Sequence, residues 1–348
     1  RLNLPGHFDK GCPIVLVPGF SGWGRPLLGT LNYFGGFSDL ASALSTDGYT
    51  VVLVRIGPIS SNRERACEIY EQLTRIRGFD LPGSTPPTMI NLDLGTGLLL
   101  PRGAPAPQTP LAVVYGADHL PQSWTWSDTN RVNFICHSQG DTTVRYLIWL
   151  LSGGGEPNLP QFRGVDRRPW VKAVVTLGTP HKGTPVTEVI ESWTKFITSC
   201  SFASREDRFY DLHLDHWGFA RRNLESYHHM RARIATDVQA WWDNNTTSNG
   251  FRDNSIEGAG YLNGEERGFT HPIYFFTMSF CATQPLPDLS LTDEDVNDFL
   301  SLFRPVLKIL DPLGFGAWAA RKLVPKIEPF TRCIGLTPPF QAVLEFCI

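Results

Sequence analysis

Ser138 stands in the run Val132-Asn133-Phe134-Ile135-Cys136-His137-Ser138-Gln139-Gly140, and its neighbours are the kind that turn a serine into a nucleophile. A free serine hydroxyl attacks carbonyls poorly. It becomes effective where a base takes its proton and fixed N–H groups receive the charge that develops on the attacked oxygen. The run reads as a short apolar strand, a tight turn, and then a helix whose Thr143, Val144, Leu147, Ile148 and Leu151 recur at helical spacing. A serine at the tip of such a turn has its Oγ lifted clear of the backbone, and the N–H groups that follow point at the reacting carbonyl. Gly140 leaves the helix start open for close packing. Cys136 stands where glycine or alanine is the usual choice, and is small enough to serve. An ordinary strand-to-helix turn has the same spacing; the strand before and the helix after favour acyl chemistry at Ser138.

Other elements must hold that turn in place. Residues 14–17 (Ile-Val-Leu-Val) are a short buried-strand run, followed by the glycine-rich turn Pro18-Gly19-Phe20-Ser21-Gly22-Trp23-Gly24. Such a turn brings backbone close to whatever binds at the strand's end. Phe37, Leu40, Ala41 and Leu44 predict a helix that Gly48 stops, and residues 51–54 predict the next strand. Ser60-Ser61-Asn62 caps a helix carrying Ala66, Ile69, Tyr70 and Leu73. Residues 171–177 and 273–279 read as further strands, the former ending in Gly178-Thr179-Pro180-His181. Strands alternating with helices imply parallel βαβ units, hence an α/β protein with a mostly parallel sheet and helices on both faces. With the serine turn at its centre this is the α/β-hydrolase fold.

Residues 78–130 break the alternation. Their first part, 78–110, holds seven prolines and few charges, and is read as an insertion within one domain spanning 1–348. Residues 186–200 predict an amphipathic helix just beyond a strand's C-terminal end. A core helix is the plain reading, and a lid over 186–222 is the functional one. Residues 223–242 read as a polar helix, with His228 and His229 solvated. Helices broken at Pro305, Pro312 and Pro325 are expected after 293.

The composition is ordinary for a globular chain, with 42% hydrophobic residues, 19% charged residues and a net charge of −3 over 348 residues. No basic cluster points to nucleic acid, and no apolar run is long enough for a bilayer-spanning helix. The seven cysteines are widely spaced and imply no disulfide framework, although one or two bridges stay open. The chain starts at Arg1 without a signal-peptide pattern, which reads as a mature form or a fragment.

Five ordered stretches together resemble one family: residues 17–25 (Val-Pro-Gly-Phe-Ser-Gly-Trp-Gly-Arg), 57–68 (Gly-Pro-Ile-Ser-Ser-Asn-Arg-Glu-Arg-Ala-Cys-Glu), 136–140 (Cys-His-Ser-Gln-Gly), 179–184 (Thr-Pro-His-Lys-Gly-Thr) and 210–218 (Tyr-Asp-Leu-His-Leu-Asp-His-Trp-Gly). The sequence resembles the thermoalkalophilic lipases of the staphylococcal and Bacillus type, clearly over about 12–75 and 130–222. The resemblance implies secretion, hydrolysis of triacylglycerols and other carboxylic esters at a lipid–water interface, a helical lid, a structural zinc and no organic cofactor. It implies Ser138 as nucleophile, with the backbone N–H groups of Phe20 and Gln139 as the oxyanion hole. The fold logic agrees, since one donor follows the nucleophile and the other comes from the first strand's loop. Phe20 can serve as a core aromatic as well, because its N–H and not its ring would act. His181 matches a family histidine that is not the base, and is read as structural.

For the zinc, the resemblance implies Glu64, His119 and Asp215 as ligands. Glu64 replaces the family's first aspartate, and His119 lies in the segment that carries the first histidine. The second histidine has no counterpart from Leu120 to Asp128, and His216 or Asp118 is the candidate substitute.

The triad partners are missing. An acid and then a histidine should follow the serine, with the histidine beyond the last strand. The final histidine is His271, ahead of the strand at 273–279. Asp288, Asp293, Asp295 and Asp298 read as an acidic helix start. The C-terminal end is therefore expected to be incomplete relative to the family. Three functions follow from these readings: an ester hydrolase of the lipase kind, a catalytically impaired homologue that binds lipid or a partner, and an acyltransferase on the same scaffold.

Overall fold

The computed structural model describes residues 10–185 apart from 27–29, 76–77, 85–86, 96–99, 101–102 and 154, then 213–219, scattered positions between 222 and 237, and 248–265, 273–280, 283–285 and 334–336. Most of the expected lid, most of the 223–242 helix and nearly everything after 286 lie outside the described residues. The chain divides into two compact units, 1–187 with 198–278, and 188–197 with 279–348.

The strands in chain order are β1 (Ile14–Val17), β2 (Val51–Leu53), β3 (Met89–Asn91), β4 (Gln108–Pro110), β5 (Val113–Tyr115), β6 (Val132–His137), β7 (Val171–Leu177), β8 (Tyr274–Met278), β9 (Thr283–Pro285) and β10 (Ile334–Leu336). The first unit is built on a six-stranded sheet in the order β5-β2-β1-β6-β7-β8. All its pairings are parallel except β2 with β5. In the second unit, β9 and β10 form an antiparallel pair.

Helices cover both faces. The helices in order are α1 (Leu40–Thr46), α2 (Asn62–Thr74), α3 (Gln139–Leu151), α4 (Gly250–Asn254) and α5 (Ile256–Glu265). On one face Val132, Phe134 and Cys136 of β6 pack with Ala66, Ile69 and Leu73 of α2 and with Val144, Leu147 and Ile148 of α3. On the other, Leu16, Val51 and Ile135 pack with Ala41 and Leu44 of α1. The period-2 alternation of β6 sends its residues to these two faces in turn. α1 starts later than its apolar spacing predicts. Asp39 caps it by accepting the Ser42 N–H, and Phe37 is left outside, 67% exposed.

α2 begins with a capping box. Ser61 accepts the Glu64 N–H and Glu64 accepts the Ser61 N–H. Within the insertion, β3 and β4 form an antiparallel pair of their own, and β5 returns to the main sheet as an edge. Among the described residues β8 is the opposite edge, and its Tyr274, Phe275, Phe276 and Met278 are all exposed. No helix among the described residues is long and apolar enough to cross a membrane.

Candidate active site

β6 ends at His137, and Ser138 is the N-cap of α3 with φ 52° and ψ −125°. A non-glycine residue with that φ is strained by about 1–3 kcal/mol and persists only where its surroundings hold it. The Ser138 N–H continues the sheet by donating to Leu177 O at 3.0 Å. Close packing against β1 does the rest. A Cβ on Gly140 would lie 2.5 Å from Val17 O, and one on Gly19 would lie 2.7 Å from Ser138 Cβ. The turn after β1 and the serine turn are therefore in direct backbone contact, and glycine is required on both sides.

The Phe20 N–H and the Gln139 N–H donate to no group among the described residues. Gln139 is fully buried, and its side-chain Nε2 donates to Ser60 O and Asn62 Oδ1, each at 3.2 Å. The Phe20 ring packs edge-on against Phe251 of α4, with centroids 4.7 Å apart. Both readings of Phe20 are thus compatible with its position: the ring packs while the N–H stays open.

The nearby imidazoles are engaged elsewhere. Tyr33 Oη accepts the Gly19 N–H at 2.9 Å and lies 2.6 Å from His137 Nδ1. His181 Nδ1 is 3.3 Å from Asp141 Oδ2, and Asp141 is fully buried. Burial pushes the Asp141 carboxyl up to about 6, and burial lowers His181, with Arg145 adding to the effect. Cys136 is buried and free, and burial holds its thiol well above its ordinary value, so it is inert beside Ser138. Cys12 and Cys67 are free as well.

The residues nominated for zinc do not fit it. Among the described residues no group of three or more His, Cys, Asp or Glu is placed to hold a metal, so Glu64, His119 and Asp215 are not brought together. Glu64 and His119 have local partners instead. The Glu64 carboxylate accepts the Ser61 N–H and, at 3.0 Å, the Trp217 indole N–H. His119 Nδ1 lies 3.3 Å from Tyr49 O, and Asp118 is its neighbouring carboxylate at 4.0 Å. Asp215 lies in the 3-10 turn Leu214–Trp217. His216, named as a substitute ligand, instead places Nε2 2.8 Å from Ser60 Oγ inside the core. Burial lowers its basicity to about 3, so it is neutral.

Sequence reasoning missed the polar core under this site. Glu68 is fully buried, accepting the Gly57 N–H at 2.8 Å and the Thr109 hydroxyl at 3.1 Å. Burial raises its carboxyl from 4.5 to about 8. A carboxyl whose folded value lies above its unfolded one stabilises the fold fully below about 4.5, and that contribution is lost as pH rises through about 8. Glu68→Gln keeps an acceptor for Gly57 and cannot ionise. It is expected to flatten the fall in stability between pH 5 and pH 8 by an amount on the order of a few kcal/mol. Urea unfolding of both proteins across that range checks this, and parallel profiles would contradict it.

Relatives are consistent with this geometry. No family model matches the chain. It is 28% identical over 288 residues to a lipase of Staphylococcus hyicus, a match covering 78% of this chain and 40% of that one. Among solved structures it is similar to EstA from Clostridium botulinum, with a TM-score of 0.58, 28% identity and coverage of 82% of this chain and 63% of that one. It is also similar to lipase 1 from Pelosinus fermentans, with a TM-score of 0.51, 26% identity and coverage of 73% and 64%. The chain thus spans less than two thirds of each of these three relatives. It is a homologue of the staphylococcal lipases, built on the α/β-hydrolase fold.

Proposed function

We propose that this chain hydrolyses carboxylic esters of lipids, triacylglycerols among them, through an acyl-enzyme on Ser138. The observation that carries the reading is the strained turn that presents Ser138 beside two N–H groups with no partner among the described residues. In this reading Ser138 Oγ adds to the ester carbonyl carbon, and the carbonyl electron pair moves onto oxygen. The Phe20 and Gln139 N–H groups receive that charge. Collapse re-forms the C=O bond and expels the alcohol, which leaves with the proton lost by Oγ. Water repeats the sequence and releases the acid. The working surface is a lipid–water interface and the compartment is extracellular, as the resemblance to secreted lipases implies.

The proton needs a base. Among the described residues no imidazole hydrogen-bonds to Ser138 Oγ; His137 faces Tyr33 and His181 faces Asp141. That observation favours a second reading, a homologue that binds lipid or a partner without turnover. The test is hydrolysis of a short-chain p-nitrophenyl ester by the purified chain against Ser138→Ala, with folding checked by circular dichroism. The first reading expects the variant to lose several powers of ten, down to background. Equal rates in two folded proteins would establish the second.

A further inference from the structure

We propose that Arg65 and Thr179 are positioning residues that lock the two peptide planes carrying the Phe20 and Gln139 N–H groups. The inference rests on the ester-hydrolase reading and deepens it. A trans peptide is planar, and its C=O and N–H point in opposite directions. Fixing the carbonyl of one residue therefore fixes the N–H of the next. The Phe20 N–H shares its plane with Gly19 O, and the Gln139 N–H shares its plane with Ser138 O.

Both carbonyls are held from behind. Arg65 is fully buried on α2, and its Nη1 donates to Gly19 O at 3.1 Å and to Gly57 O at 3.2 Å. Its Nη2 donates to Pro18 O, and its Nε donates to Thr143 Oγ1 at 3.0 Å. The preceding plane is pinned at its other end, where Gly19 N–H meets Tyr33 Oη. A guanidinium suits this task because its donors form a rigid fork, so carbonyls of consecutive residues are held in one geometry. The same fork reaches α3 through Thr143, which ties the Phe20 plane to the helix that begins at Gln139. On the other plane, Thr179 Oγ1 donates to Ser138 O at 3.0 Å, and the Asp141 N–H approaches the same oxygen at 3.3 Å. Thr179 follows β7, so the sheet itself carries this second lock. Rotating either plane to turn its N–H away would break a bond made by a buried or anchored side chain. Donors that need no reorganisation during reaction are the ones that stabilise a developing oxyanion.

Thr179→Val is isosteric and removes only the donor. On the same p-nitrophenyl ester it is expected to lower kcat about ten- to a hundredfold while KM stays within about twofold, because the bond acts on charge that exists only in the transition state. Thr179→Ser restores the hydroxyl and should return kcat to near the wild-type value. Arg65→Lys, which keeps the charge and loses the fork, should fall in kcat in the same way. A readout independent of turnover is the one-bond N–H residual dipolar coupling of the Gln139 amide, which reports the direction of the bond. It should change in Thr179→Val while the amides of β1 and β6 keep theirs. Unchanged couplings, or full kcat in the valine variant, would overturn the proposal. A wild-type chain with no turnover would end the ester-hydrolase reading, and the couplings would still decide whether Thr179 sets the plane.

Discussion

Gly19→Ala is expected to lower ester turnover by about a hundred- to a thousandfold in a chain that still folds, the scale of losing one oxyanion donor. The new Cβ would lie 2.7 Å from Ser138 Cβ, 2.8 Å from Tyr33 Oη and 2.9 Å from His137 O. Ordinary carbon contacts begin near 3.5 Å, so something must move. Ser138 and His137 cannot yield cheaply. They close a strand paired on both sides, and the Ser138 N–H is itself in the ladder with Leu177. The turn after β1 is the softer partner, since side-chain bonds and two backbone bonds, Ser21 N–H to Pro58 O and Gly22 N–H to Gly19 O, hold it in place of a paired strand. It recedes, and the Phe20 N–H recedes with it. Gly260→Ala on α5 serves as a control, because a Cβ there meets nothing within 4 Å. Initial rates on a p-nitrophenyl ester and thermal melts of both variants check this. A fully active Gly19→Ala protein would mean that the turn has slack and that its N–H is not placed by contact with the serine turn.

What the sequence made legible was local. β1, β6, β7 and β8 lie where apolar runs of strand length predict them, and Ser61 caps α2 as its residue type predicts. The serine turn could be read because its chemistry lies in adjacent residues. What could not be read depends on partners far along the chain. Arg65 is one residue of a motif in the sequence, and only the fold brings the carbonyls of Pro18, Gly19 and Gly57 around it. β5 is three residues long and follows a proline-rich excursion, so it carried no periodic signal; its partner β2 makes it a strand. α4 and α5 went unread because α4 is a single short turn and α5 is rich in glycine. Glu64 is the instructive failure. The resemblance assigned its carboxylate to a metal, yet the capping box and the Trp217 indole already occupy it.

That occupation gives the largest expected effect on stability. Trp217 is among the largest fully buried side chains, and its Nε1–H donates to Glu64 Oε1 at 3.0 Å. Trp217→Ala should cost about 3–5 kcal/mol from the cavity alone. Glu64 Oε1 would keep only the longer bond from the Ser248 hydroxyl, at 3.5 Å, and losing its better donor adds up to about 1–3 kcal/mol. Trp217→Phe separates the two contributions, since it keeps most of the ring volume and loses the N–H. Burial raises the Glu64 carboxyl from 4.5 to about 7, against a lowering by its hydrogen bonds, the indole's included. Removing the indole donor therefore raises the folded value further. Below pH 5 the carboxyl is protonated in both proteins, and the cost of Trp217→Phe is that of packing and a neutral hydrogen bond. As pH rises through about 7 the wild-type carboxylate keeps the indole donor and the variant's does not, so the stability gap widens. Urea unfolding at pH 5 and pH 8 measures both gaps. A gap of equal size at the two pH values would mean that Trp217 acts through its volume alone, and that the Ser61 N–H and the Ser248 hydroxyl are enough for Glu64.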